Sequence, residues 1–156
     1  MRTLRLLLPL ALVAPAFAAG PARGSTPSTF VANMTAEEVQ PLPGPPGAKG
    51  TARIVADQDA QRVCYKLTYE GPGPVTAAHI HRGEKGMTGP VTINLDVNAE
   101  CVNPAPAEIK ALVDWPDGYY VEIHTLYQQN GAVRGQTVPE GGSPAPAHQQ
   151  QHHPGR

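Results

Sequence analysis

The chain has 156 residues, 40% hydrophobic but only 5% aromatic, with 18 prolines, 16 glycines and a formal charge of −1. That length fits one ordinary domain. The near-neutral, mixed charge excludes the basic stripe of a nucleic-acid binder and the polybasic patch of a membrane-surface protein.

At the N-terminus, Arg2 and Arg5 precede an apolar run over residues 6–17, and Ala16-Phe17-Ala18 is a small-x-small site. This is the pattern of a secretory signal peptide, with cleavage expected after Ala18. The run is shorter than the roughly 20 apolar residues a transmembrane helix needs, and Pro9 and Pro15 would break a buried helix. Removing residues 1–18 takes two arginines and no acid, which moves the formal charge from −1 to −3. No second long apolar stretch follows, so the mature chain is expected to lack a transmembrane segment and to be secreted or periplasmic. Residues 19–28 read as a flexible leader. Residues 139–156 hold no apolar side chain larger than alanine and read as a disordered tail. The folded unit is expected over residues 29–138.

Within it the signals are β. Residues 52–56 and 62–69 are rich in β-branched and aromatic side chains, with Asp57-Gln58-Asp59 between them as a hairpin turn. Val63, Tyr65, Leu67 and Tyr69 alternate with Arg62, Cys64, Lys66 and Thr68. Further strands are expected over 75–81, 91–95, 118–126 and, after an Asn130-Gly131 turn, 132–138. Residues 106–115 differ: Ile109, Leu112 and Val113 stand at spacings of three and four, and Pro106 with Glu108 suits a first helical turn. The pattern predicts an all-β, antiparallel β-sandwich with one short helix. Cys64 and Cys101 are an even pair in an exported chain, which favours a disulfide over two buried thiols.

Residues 75–83 read Val-Thr-Ala-Ala-His-Ile-His-Arg-Gly. Two residues apart on a strand, His79 and His81 share a face, roughly 6–7 Å apart, while Ile80 points into the core. On the strand Tyr119-Tyr120-Val121-Glu122-Ile123-His124-Thr125, Val121 and Ile123 belong with Ile80. Tyr120, Glu122 and His124 then share the histidine face. Three imidazoles suit copper, zinc, nickel or iron(II) and leave an open coordination position. Copper is the preferred ion for a nitrogen site, with Glu122, Tyr120 and Arg134 as supporting neighbours. Imidazole ligation is expected to weaken below about pH 6. The other reading is a polar outward face whose imidazoles tie strands together. In the tail, His148, His152 and His153 fit a weak metal tract or a solubilising segment.

These residues also resemble a known family. Ala77-Ala78-His79-Ile80-His81-Arg82-Gly83, then Gly86 and Gly89-Pro90-Val91, is similar to the central motif of the CHRD domain, the module first described in chordin. Residues 118–125 resemble its second motif, and Gly131-Ala132-Val133-Arg134-Gly135-Gln136 its closing one. Glu38-Val39-Gln40-Pro41 resembles the entry segment, with Gln40 a departure. The resemblance implies an all-β sandwich and an extracellular setting, and no particular reaction. A weaker resemblance is to the copper strand of copper/zinc superoxide dismutase, with His79, His81, His124 and Arg134 in the corresponding parts. The folded region offers no fourth histidine, no bridging imidazole and no His/Asp cluster for zinc.

No nucleophile elbow, Walker loop or His-Glu-x-x-His stands in the chain. The expected function is a non-enzymatic, exported binding module, with or without a histidine copper site. The competing reading is a copper-dependent redox protein.

Overall fold

The computed structural model describes residues 24–142. The expected signal peptide at 1–18 and the three tail histidines lie outside them. Nine strands and one helix follow in order: β1 (Ser28–Thr35), β2 (Lys49–Asp57), β3 (Arg62–Glu70), β4 (Val75–Arg82), β5 (Val91–Leu95), β6 (Cys101–Val102), α1 (Pro106–Asp114), β7 (Tyr119–Thr125), β8 (Gln128–Gln136) and β9 (Val138–Pro139). The strands form one antiparallel sheet in the order β5-β4-β7-β8-β1-β2-β3-β6, with β9 on β1.

The sheet curls until its ends meet. Tyr65 donates its backbone N–H to Glu100 O at 2.8 Å and its hydroxyl to Asp96 O at 2.9 Å, so β3 is tied to the segment that joins β5 to β6. The result is a flattened, nearly closed barrel whose two halves pack as a sandwich. Alternation decides which side chains fill it. Phe30, Ala32 and Met34 of β1, Ile54 of β2, Val63 and Tyr65 of β3, Ile80 of β4, Ile93 and Leu95 of β5, and Val121 and Ile123 of β7 form one buried cluster. Burying an isoleucine such as Ile54 or Ile80 contributes about 2–3 kcal/mol.

The helix is where the spacing put it. Pro106 opens it, the Glu108 carboxylate accepts the Ala105 N–H at 3.2 Å, and Ile109 and Leu112 plug into the core. Cys64 and Cys101 face each other across β3 and β6 and are joined by a disulfide. In the chain-entropy account, a loop of 37 residues closed this way contributes about 3–4 kcal/mol.

Two details differ from the sequence expectation. The β7–β8 hairpin turns at Leu126-Tyr127, not at Asn130-Gly131, which lies inside β8. Gly131 is needed there for another reason. Its φ is +123°, and a Cβ on it would come within 2.7 Å of both the Glu122 carboxylate and Val39. The central strand β1 was not signalled at all, because its alternation mixes small and polar residues.

Sheet structure also continues beyond Val138. Pro139 pairs with Phe30, the Glu140 N–H donates to Thr29 O at 2.9 Å, and Arg53 holds the Glu140 carboxylate with two hydrogen bonds of 2.7 and 2.8 Å. A chain ending after Val138 is therefore expected to melt about 3–8 °C below one ending after Gly142. Paired thermal scans check this; equal midpoints would mean that β9 holds nothing.

Candidate metal centre

The outer face of β4, β7 and β8 is covered rather than open, chiefly by the loop at residues 83–90. The pairing register sets His79 opposite Glu122, His81 opposite Tyr120, and Ala77 opposite His124. With Ile80 opposite Val121 on the core side, the strand parity brings the three histidines to one face. One ring nitrogen from each of His79, His81 and His124 lies within 4.8 Å of the others. Nitrogens held at about 2.0–2.1 Å from one ion sit about 3–4 Å apart, so the widest pair closes by roughly an ångström when an ion binds. The three are close enough to hold a metal ion.

Backbone carbonyls fix the tautomers. His81 Nδ1 lies 3.0 Å from Gly89 O, and His124 Nδ1 lies 2.9 Å from Gln129 O. A carbonyl only accepts, so each Nδ1 carries the proton and each Nε2 presents its lone pair. His124 Nε2 meets His79 Nδ1 at 3.2 Å. His81 Nε2 is buried and has no hydrogen-bond partner, one of two such side-chain atoms among the described residues. Glu122 Oε2 stands 3.6 Å from it and 3.8 Å from His124 Nε2.

Support comes from the same face. The Tyr120 ring stacks on His81 with centroids 4.8 Å apart and carries the Arg134 guanidinium at 3.5 Å. Arg134 is only 2% exposed, and its Nη2 donates to Glu84 O at 3.1 Å and Met87 O at 2.6 Å. Gln136 Nε2 donates to Gly83 O, and Lys85 pairs with Glu38. The loop is thus strapped down at several points, and its Gly89 carbonyl is what orients His81. Gly89 is required by the close approach of the loop to β4: a Cβ there would fall 1.6 Å from Arg82 O. The carbonyls of Gly89 and Gln129 carry no side-chain signal; the glycines beside the motifs were the available hint.

Residues 30–137 match the CHRD domain. The chain belongs to the CHRD domain family. No curated protein and no solved structure matches it. The histidines, the strapped loop and Arg134 all lie inside the CHRD segment. Among the described residues, no helix is long and apolar enough to cross a membrane.

Burial sets the charge state of the CHRD site. It pushes His79 down to about 4, helped by His124 and His81. It lowers His81, against the Gly89 carbonyl, and lowers His124, against the Gln129 carbonyl. It raises Glu122 to about 7, which Arg134 only partly offsets. His79 is therefore neutral at pH 6, and proton competition for all three imidazoles moves below the pH expected for free imidazole.

Stability follows by linkage. Each lowered histidine contributes stability that is complete above its unfolded value of 6.5 and is lost as pH falls toward its folded value, about 4 for His79. Glu122 acts oppositely: its contribution is complete below 4.5 and is lost as pH rises through about 7. Below 6.5 the three histidines pull against Glu122, and above 6.5 Glu122 acts alone. Metal-free protein should therefore be most stable near pH 6.5, and Glu122→Gln should remove the decline above it. Urea titrations from pH 4.5 to 8 check this; a steady rise to pH 8 in the parent contradicts it.

Proposed function

We propose that this CHRD-domain protein is an exported, non-enzymatic module that binds one copper ion through His79, His81 and His124. The observation that carries the reading is the buried, unpartnered Nε2 of His81, converging with a second Nε2 whose tautomer is held by a carbonyl. A buried nitrogen without a partner costs about 1–3 kcal/mol, and an ion bound there would recover it. A three-nitrogen donor set favours copper over the other divalent first-row ions. Export is supported by the N-terminal signal pattern and by the disulfide, which persists in an oxidising compartment. Arg134, which a redox reading would use to draw an anion to the metal, is committed to the carbonyls of Glu84 and Met87. That favours binding over turnover.

The test is a copper titration of the chain carrying His148→Ala, His152→Ala and His153→Ala, which removes the tail as a competing site. One equivalent of Cu(II) should bind at pH 7.5, more tightly than Zn(II), and the further triple replacement of His79, His81 and His124 should abolish it. Equal binding by that variant would leave the histidine face as a purely structural layer.

A further inference from the structure

Glu122 is more than a neighbour of the histidines. Its Oε2 lies 3.6 Å from His81 Nε2 and 3.8 Å from His124 Nε2, while His124 Nε2 and His79 Nδ1 are 3.2 Å apart. Neighbouring donors held at about 2.0–2.1 Å are spaced about 2.8–3.0 Å around a square-planar ion and about 3.3–3.4 Å around a tetrahedral one. The 3.2, 3.6 and 3.8 Å spacings lie near those values, and Glu122 approaches His81 and His124 but not His79; the three histidine nitrogens span up to 4.8 Å, so the donors would draw inward around an ion. The Glu122 spacings are too long for hydrogen bonds, since 3.6 Å exceeds any O–H···N contact, whereas His79 and His124 are hydrogen-bonded to each other.

With the Glu122 carboxyl ionised, the facing atoms are both acceptors. The Gly89 carbonyl places the His81 proton on Nδ1, so Nε2 offers only a lone pair toward the carboxylate. Glu122 is 6% exposed and His81 8%. At 3.6 Å no hydrogen bond fills the gap between a carboxylate and a lone pair turned toward one another, which leaves a place for a cation. Arg134 does not supply it. Although β8 sets Arg134 opposite Glu122, the Arg134 Nη2 goes to the loop carbonyls, and among the described residues no ion pair joins the two side chains. Gly131 borders the other carboxylate oxygen: a Cβ there would strike Glu122 Oε1 at 2.7 Å.

We propose that Glu122 is the fourth donor of the site, making it a three-histidine, one-carboxylate centre that selects a divalent ion, Cu(II), over Cu(I). This rests on the metal reading above and deepens it. A carboxylate adds a hard, anionic oxygen, which favours the divalent ion; three imidazoles alone accept either oxidation state.

The test compares parent and Glu122→Gln in the full chain with the three tail histidines replaced. Cu(II) and Cu(I) affinities are measured separately by competition with chelators for each oxidation state. Glu122→Gln should lose about 100-fold or more in Cu(II) affinity, beyond the 10- to 100-fold typical of outer-sphere changes. Its Cu(I) affinity should stay within about threefold, and the Cu(II) spin-resonance g values should move. Unchanged Cu(II) affinity and spectrum, or equal losses for both ions, would overturn the assignment. If the parent binds no metal at all, the metal reading itself has failed. Should Glu122→Gln not fold, Glu122→Asp serves: it keeps the charge but draws the oxygen back by one methylene. It should lose more than about tenfold in Cu(II) affinity, and parent-like affinity would overturn the proposal.

Discussion

Replacing Arg134 by leucine is expected to cost about 3–5 kcal/mol of folding free energy. Arg134 is one of the largest fully buried side chains, yet it lies outside the apolar core cluster. Its guanidinium makes two hydrogen bonds to the carbonyls of Glu84 and Met87 and rests on the Tyr120 ring. Charged hydrogen bonds are worth about 1.5–3 kcal/mol each, and a desolvated cation–π contact adds about 2. Leucine matches part of the volume but leaves the Met87 carbonyl without its donor and the Glu84 carbonyl with only the Met87 N–H. The desolvation that Arg134 itself no longer suffers offsets some of this, which is why the expectation stays below the full sum. Arg134→Lys should fall between, because an ammonium cannot stack or fork. Urea denaturation gives the cost, and hydrogen exchange at residues 83–90 gives its location. A loss under about 1 kcal/mol with an unchanged loop would show that the strap is incidental.

The second large effect is on the ion. His81→Ala is expected to reduce Cu(II) affinity by about 1,000-fold or more, since it removes the nitrogen that is already oriented and unpartnered. His79→Ala should do less. Its Nδ1 already meets His124 Nε2, so an ion must displace that contact before His79 can ligate. The ordering His81 before His79 distinguishes a site preformed by the Gly89 carbonyl from one assembled by any two nearby imidazoles. Chelator competition on each single variant measures it, and equal losses would contradict the ordering. His81→Ala also gives up the Nδ1 hydrogen bond to Gly89 O and the stacking on Tyr120, so urea denaturation of the variant accompanies the affinity measurement.

Much of this arrangement was legible in the residues because it depends on parity alone. A period of two places His79 with His81, and Glu122 with His124 and Tyr120, whatever the loops do. Ile80, Val121 and Ile123 then decide which face turns inward, and all three are buried. The helix was equally legible, since Ile109 and Leu112 keep helical spacing in a chain otherwise punctuated by proline and glycine.

What escaped was non-local or carried by the backbone. The carbonyls of Gly89 and Gln129 orient two imidazoles, and a carbonyl is the same at every residue. Gly131 looks like a turn glycine beside Asn130. Only the packed position of the Glu122 carboxylate shows why it cannot carry a Cβ. Parity also leaves open whether the second face of a sheet meets solvent or a loop. Here the loop at 83–90 covers His81, Tyr120 and Arg134, and burial shifts the charge states of Glu122 and the histidines.

The central claim is one ion held by the imidazoles of His79, His81 and His124. Continuous-wave and pulsed spin resonance of the protein loaded with one equivalent of Cu(II), with His148, His152 and His153 replaced by alanine, tests it most directly. Coupling to three imidazole nitrogens is the predicted result, with one set of couplings lost in each single His→Ala variant. A spectrum of hydrated Cu(II), or couplings that survive replacement of all three histidines, would contradict it.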